Sequence, residues 1–321
     1  MRFRSWMWAF LLMLATTGGA GVHAQSVGRP VVDPAVAKMG SGFTSGILEV
    51  NGTALHYVRG GSGPAILLIH GFPQDWYEWR KVMPILAKKY TVVAMDLRGA
   101  GESRATKDGY DVATMAEDVY QLAQKLKLER PYVAGHDIGG MVAYAFARLH
   151  PDYLRAALVL ECPIPGIEPW EKIKAEPLLW HVNFQETPEL PEQLVMGRQT
   201  IYFGRFFKMG TVDNNAITAA DLAHYVKAYS APQQLRAAFE MYRALPADEK
   251  FDNAHREAIS VPLVLSGGDG SFGKIMPGLK EALRDYGWQN VTVEVLPNLR
   301  HYIPDEQPGK VAELIEKYAG S

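Results

Sequence analysis

Two rhythms alternate along the chain. Short, unbroken apolar runs, "AILLIH" (65–70), "TVVAMD" (91–96), "YVAGHD" (132–137) and "AALVLE" (156–161), each end in a polar residue, with helical spacing between them. Such runs predict strands buried on both faces, lying parallel and joined by crossover helices. Before them, "GILEV" and "ALHYV" flank Asn51-Gly52, which predicts an opening hairpin because this pair accepts the positive φ of a tight turn. From Pro163 to His255 the strand rhythm stops, replaced by helical stretches dense in Trp, Phe and Tyr with prolines between. It resumes with "VPLVLSGG" (261–268), a helix near 277–286, "VTVEVLP" (291–297) and a last helix over 309–318. The expectation is an α/β core built from residues 25–162 and 256–321, interrupted by a helical cap over 163–255. In an open parallel sheet the site forms at the carboxyl ends of the strands, where the polar residues fall here.

The first 24 residues follow a different logic. Arg2 and Arg4 precede an apolar run from Trp6 to Ala15 and a small-residue stretch ending in Ala24, the layout of a secretory leader cleaved before Gln25. The run falls short of the ~20 residues that span a bilayer, so the mature protein is expected in the periplasm or outside the cell, off the membrane. The formal charge of −2 offers no basic face for nucleic acid. Cys162 is the only cysteine, so no disulfide forms within the chain and the core must carry its stability.

Gly135-x-Asp137-x-Gly139 lies between a strand and the helical pattern that begins at Ile138, the form of a nucleophile elbow with aspartate in the usual serine place. A carboxylate is ionised without help from a base, so it can attack an sp3 carbon and form an alkyl ester. A base-activated water then attacks the ester carbonyl, and two backbone N–H groups hold the developing charge. Phe72 in "HGFPQ" and Ile138, next to the nucleophile, are the expected donors. His301 in "LPNLRHYIPDE", after the last strand, is the expected base, in the chain order nucleophile, acid, histidine. Two carboxylates compete to orient it: Glu161, ending one strand, and Asp269, following the next in "LSGGDGSFG". No metal-ligand spacing occurs, "GDGSFGK" lacks the Ser or Thr of a phosphate loop, and neither metal nor cofactor is expected.

"HGFPQDWYEWR", "DLRGAGES", "GHDIGG" and "RHYIPDE" together resemble the α/β-hydrolase superfamily, and within it the epoxide hydrolases and their dehalogenase relatives. "LECPIPG", "LLWHVNF" and "FEMYRAL" look most like the secreted Cif-type epoxide hydrolases. The resemblance implies an α/β-hydrolase fold with a mostly parallel, eight-stranded sheet flanked by helices. It implies Glu161 as the acid, and His181 with Tyr242 as the cap pair that activates a small apolar epoxide for opening to a diol. Two places depart from the wider epoxide hydrolase pattern: His181 stands for a second cap tyrosine, and Ile138 for an aromatic residue after the nucleophile. A haloalkane or haloacid dehalogenase is the rival enzyme, although Ile138 lacks the tryptophan N–H or arginine that such enzymes use there. A secreted binding or effector protein on a hydrolase scaffold is the rival of another class. Self-association as a homodimer stays open.

Overall fold

A computed structural model describes residues 28–320. The leader expected over residues 1–24 lies outside the described residues. Among the described residues nine strands form one sheet: β1 (Arg29–Pro30), β2 (Phe43–Val50), β3 (Thr53–Gly60), β4 (Ala65–Ile69), β5 (Thr91–Met95), β6 (Tyr132–His136), β7 (Ala156–Leu160), β8 (Leu263–Gly268) and β9 (Val291–Leu296). Their order is β1-β2-β3-β5-β4-β6-β7-β8-β9. The first three pairings are antiparallel and the remaining five parallel. Eight strands match the expected runs, and β1 is an addition at the edge: two residues are too few to show an alternating pattern. In the β2–β3 hairpin Val50 pairs with Thr53, and Asn51 and Gly52 both take positive φ, 41° and 75°.

Strand β4 shows why the runs are unbroken. Ile66 and Leu68 pack into the layer containing the helix Pro308–Ala319, while Leu67 and Ile69 face the layer of helices Val112–Lys125 and Ile138–Leu149. All four are fully buried, so every position must be apolar. Each such side chain contributes ~1.5–3 kcal/mol relative to an exposed one. The strand order reverses at β4, which lies between β5 and β6, so the loop after β4 and the turn after β6 open on one crevice.

Between β7 and β8 the described elements are helical, among them Trp180–Glu186, Gln199–Gly210, Ala219–Ala228 and Pro232–Arg243. A buried polar clamp fixes this segment to the core. The Arg80 guanidinium pairs with Asp305 at 2.5 Å and with Asp221 of helix Ala219–Ala228 at 2.7 Å, and the Tyr225 hydroxyl donates to Asp305 at 3.0 Å. Charges this deeply placed are tolerable only when paired and hydrogen-bonded in this way.

Candidate active site

Asp137 leaves β6 at φ 51° and ψ −127°, a conformation unfavourable for a residue with a side chain. Its neighbours explain how the turn closes. A Cβ on Gly135 would lie 1.9 Å from the Gly139 carbonyl oxygen, one on Gly139 2.3 Å from that of Ile69, and one on Gly71 2.4 Å from the Asp137 Cβ. Only hydrogen fits at these three places. The Asp137 N–H donates to the Leu160 carbonyl at 3.0 Å, and its own carbonyl accepts from Gly140 N–H at 2.7 Å, which starts the following helix. The carboxylate is thereby turned toward the loop after β4, where its Oδ2 accepts the Phe72 N–H at 2.9 Å. Ile138 is the first residue of its helix, so its N–H has no intrahelical acceptor.

His301 bridges the two carboxylates. Its Nε2 lies 3.9 Å from Asp137 Oδ1, beyond hydrogen-bond reach, and its Nδ1 lies 3.3 Å from Glu161 Oε2. Glu161 is fully buried and held at φ 58°. Its other oxygen accepts the Gly268 N–H, and a Cβ on Gly267 would sit 2.5 Å from that oxygen, so the end of β8 is shaped around this carboxylate. Asp269, the competing acid, is exposed and accepts the N–H of Asn298 at 2.9 Å, capping a turn of its own. The cap reaches the His301 loop too: the N–H groups of His301 and Tyr302 both donate to the Gly210 carbonyl, at 2.8 and 3.1 Å.

On the cap side of Asp137, Tyr242 of helix Pro232–Arg243 is buried, with its ring 5.6 Å from that of Phe72. The His181 ring, from helix Trp180–Glu186, is 6.0 Å from the Tyr242 ring. Burial, and next the negative charge of Asp137, push the Tyr242 phenol well above its ordinary range, so it stays protonated as a donor. Phe72 has two functions here. While its N–H holds Asp137, its ring meets Phe203, Phe206 and Tyr229 of the cap at 5.5, 5.9 and 5.9 Å.

Sequence reasoning gave no role to His136 or Glu78, although both lie in quoted motifs. The two are fully buried and form an ion pair, Nδ1 to Oε1, at 3.0 Å. Burial alone would lower the His136 pKa, but Glu78, followed by Asp137 and Glu161, carries it up to about 9. Nothing in the linear pattern announces the pair, because a buried His beside a strand end is most often structural.

A strained, glycine-framed turn around an acid, a histidine beside it and a buried carboxylate behind the histidine define a hydrolytic constellation on a doubly wound sheet. The sequence profile described as alpha/beta hydrolase fold matches residues 64–242, and the chain belongs to that family and is a hydrolase. It is 34% identical over 284 residues to the soluble epoxide hydrolase of Corynebacterium sp. (strain C12), covering 84% of this chain and 94% of that one. It is 31% identical to a fluoroacetate dehalogenase of Burkholderia sp over 299 residues, 87% of this chain and 95% of the relative. The crystal structure of the Cif epoxide hydrolase from Acinetobacter nosocomialis superposes with a TM-score of 0.78 over 90% of this chain and 98% of that one. At 23% identity this last likeness concerns the fold.

Proposed function

We propose that this hydrolase opens epoxides to vicinal diols through an alkyl ester on Asp137. The Asp137 carboxylate attacks one epoxide carbon, the carbon–oxygen bond breaks, and the ring oxygen takes a proton or hydrogen bond from Tyr242 and His181. Water then loses a proton to His301 Nε2 as its oxygen attacks the Asp137 carbonyl carbon. The N–H groups of Phe72 and Ile138 hold the oxyanion, and Glu161 steadies the imidazolium. Collapse breaks the ester carbon–oxygen bond as the His301 imidazolium gives its proton to the departing diol oxygen, and the proton left on the Asp137 carboxyl group replaces the one that the cap donors gave, restoring the carboxylate.

The observation that carries this reading is the buried Tyr242 phenol packed on Phe72, the residue whose N–H holds the Asp137 carboxylate, since an alkoxide needs a donor as it departs and a halide does not. The Burkholderia relative supports a dehalogenase as the second reading, and the apolar, buried Ile138 side chain argues against it. A panel of epoxides and haloalkanes, scored for diol and for halide, separates the two. Halide release without diol formation overturns the proposal. Diol formation in heavy-oxygen water should first place the label on the Asp137 carboxylate; its absence there rules out the ester. The N-terminal pattern supports export with a mature chain beginning at Gln25. Sequencing that finds residues 1–24 retained would refute that part.

A further inference from the structure

The reaction scheme leaves one buried amide of the cap without a task. Gln185 lies in helix Trp180–Glu186, one helical turn after His181, so the two side chains share a helix face. That helix packs against Pro232–Arg243, which carries Tyr242. Gln185 is fully buried, and its Nε2 donates to the Tyr202 hydroxyl at 2.9 Å. Among the described residues nothing donates to its Oε1. The pair is set in an aromatic shell: the Tyr202 ring lies 5.0 Å from that of Phe206, 5.8 Å from Phe184, and 6.1 Å from both Trp180 and Phe203. Phe206 in turn meets the His181 ring, also at 5.0 Å. Burial lifts the Tyr202 phenol above its ordinary range, so at neutral pH it keeps its proton as a donor. An unpaired amide oxygen in such surroundings is costly, whereas an apolar side chain would not be. A partner that arrives with the substrate accounts for that oxygen.

We infer that Gln185 and Tyr202 form a specificity-determining pair that recognises a hydroxyl group on the substrate, at a remove from the epoxide ring. The hydroxyl donates to Gln185 Oε1 and accepts the Tyr202 O–H. Because a hydroxyl both gives and takes a hydrogen bond, it also suits the amide turned end for end. Gln185 stands ~6 Å along the helix axis from His181, so the hydroxyl lies several carbons from the ring oxygen that His181 and Tyr242 serve. The substrate class is then an epoxide with a distal alcohol, its intervening chain covered by the aromatic shell. A plain hydrocarbon chain would leave the amide oxygen unpaired, and a site built around a hydrogen bond discriminates against the analogue that lacks it.

This inference rests on the epoxide chemistry proposed above, and its test separates the two. Straight-chain terminal epoxides of increasing length, each with and without a hydroxyl at the far end, are compared by kcat/KM for ring opening. At the best-fitting length the hydroxylated member should lead by ~10-fold or more. Gln185→Met keeps the reach of the side chain and removes both polar ends, and should abolish the preference. Tyr202→Phe should shrink it as well, which covers the case of a misfolded Gln185 variant. A merely structural pair would slow both members together and leave their ratio in place. A parent enzyme that opens the plain epoxides and shows no preference at any length overturns the inference while the proposed function stands, as does an unchanged ratio in the variants that fold. A parent that opens no epoxide of the panel overturns the proposed function instead. Calorimetric titration with the diol and triol products reads the same discrimination without turnover: the triol should bind more tightly, an advantage lost in Gln185→Met, and equal binding of the two by the parent overturns the inference.

Discussion

Glu161→Gln separates the two half-reactions. Glu161 accepts at both oxygens, from Gly268 N–H on one side and toward His301 Nδ1 at 3.3 Å on the other. Glutamine has one acceptor and one NH₂ group. If its oxygen stays on Gly268, the NH₂ faces Nδ1, and the imidazole must switch tautomer so that Nδ1 accepts and Nε2 carries the proton. If instead its oxygen faces His301, the NH₂ opposes the Gly268 N–H inside the protein, a buried mismatch costing ~1–3 kcal/mol. The tautomer switch is the cheaper adjustment, because the imidazole supplies the missing acceptor itself. It also disables the base, since a protonated Nε2 cannot take a proton from water. Loss of the correct tautomer in a triad costs ~10³–10⁴ in rate, equal to about 4–5 kcal/mol of barrier. In the proposed mechanism ester formation uses Asp137 and the cap donors, so it should stay within ~10-fold of the parent. Rapid quenching followed by peptide mass analysis should therefore find the ester accumulating on the peptide bearing Asp137. Ester hydrolysis within ~10-fold of the parent, or an equal fall in both steps, would refute this reasoning. Asp269→Asn is the control: asparagine keeps an acceptor for the Asn298 N–H, so hydrolysis should barely change.

Tyr242→Phe removes one oxygen from a packed ring and should slow ester formation by ~10² or more while leaving ester hydrolysis alone; equal single-turnover rates would exclude the phenol as donor. Asp248 is buried and accepts the Val112 N–H at 2.8 Å; desolvation is the main cause that lifts its pKa to about 7. A raised carboxyl pKa contributes stability that is present below its unfolded value near 4 and is lost as pH rises through 7. Asp248→Asn keeps the acceptor and removes the charge, so its gain over the parent should be ~2 kcal/mol larger at pH 8 than at pH 5 in denaturant titrations. An identical difference at both values would show that the carboxyl does not titrate in that window.

Eight of the nine strands were legible because burial on both faces leaves an unbroken apolar run, which β4 displays residue by residue. The elbow was legible for a related reason: three glycines stand where a Cβ would meet backbone or the Asp137 Cβ, and such exclusion survives in a linear sequence. The choice between Glu161 and Asp269 was not legible in the residues themselves, since both follow strands, and only the resemblance pointed to Glu161. What distinguishes them is the bare end of β8, where Gly267 leaves room for one carboxylate and Gly268 supplies its N–H. Here the residues beside the rival, not the rival itself, carry the information. The pairing of Glu78 with His136 has no periodic or motif signal at all, as it depends on bringing a turn after β4 under the end of β6.

Phe72 makes the cap and the catalytic core parts of one gear rather than interchangeable modules. One residue presents an amide to Asp137 and a ring to a socket of Phe203, Phe206, Tyr229 and Tyr242. A cap exchanged from a relative would have to bring a socket that seats this ring at the same depth, or the amide would turn with the ring and Asp137 would lose its donor. Redesign on this scaffold therefore has a natural boundary: cap residues that grip the Phe72 ring cannot be changed without also touching the donor that Asp137 uses.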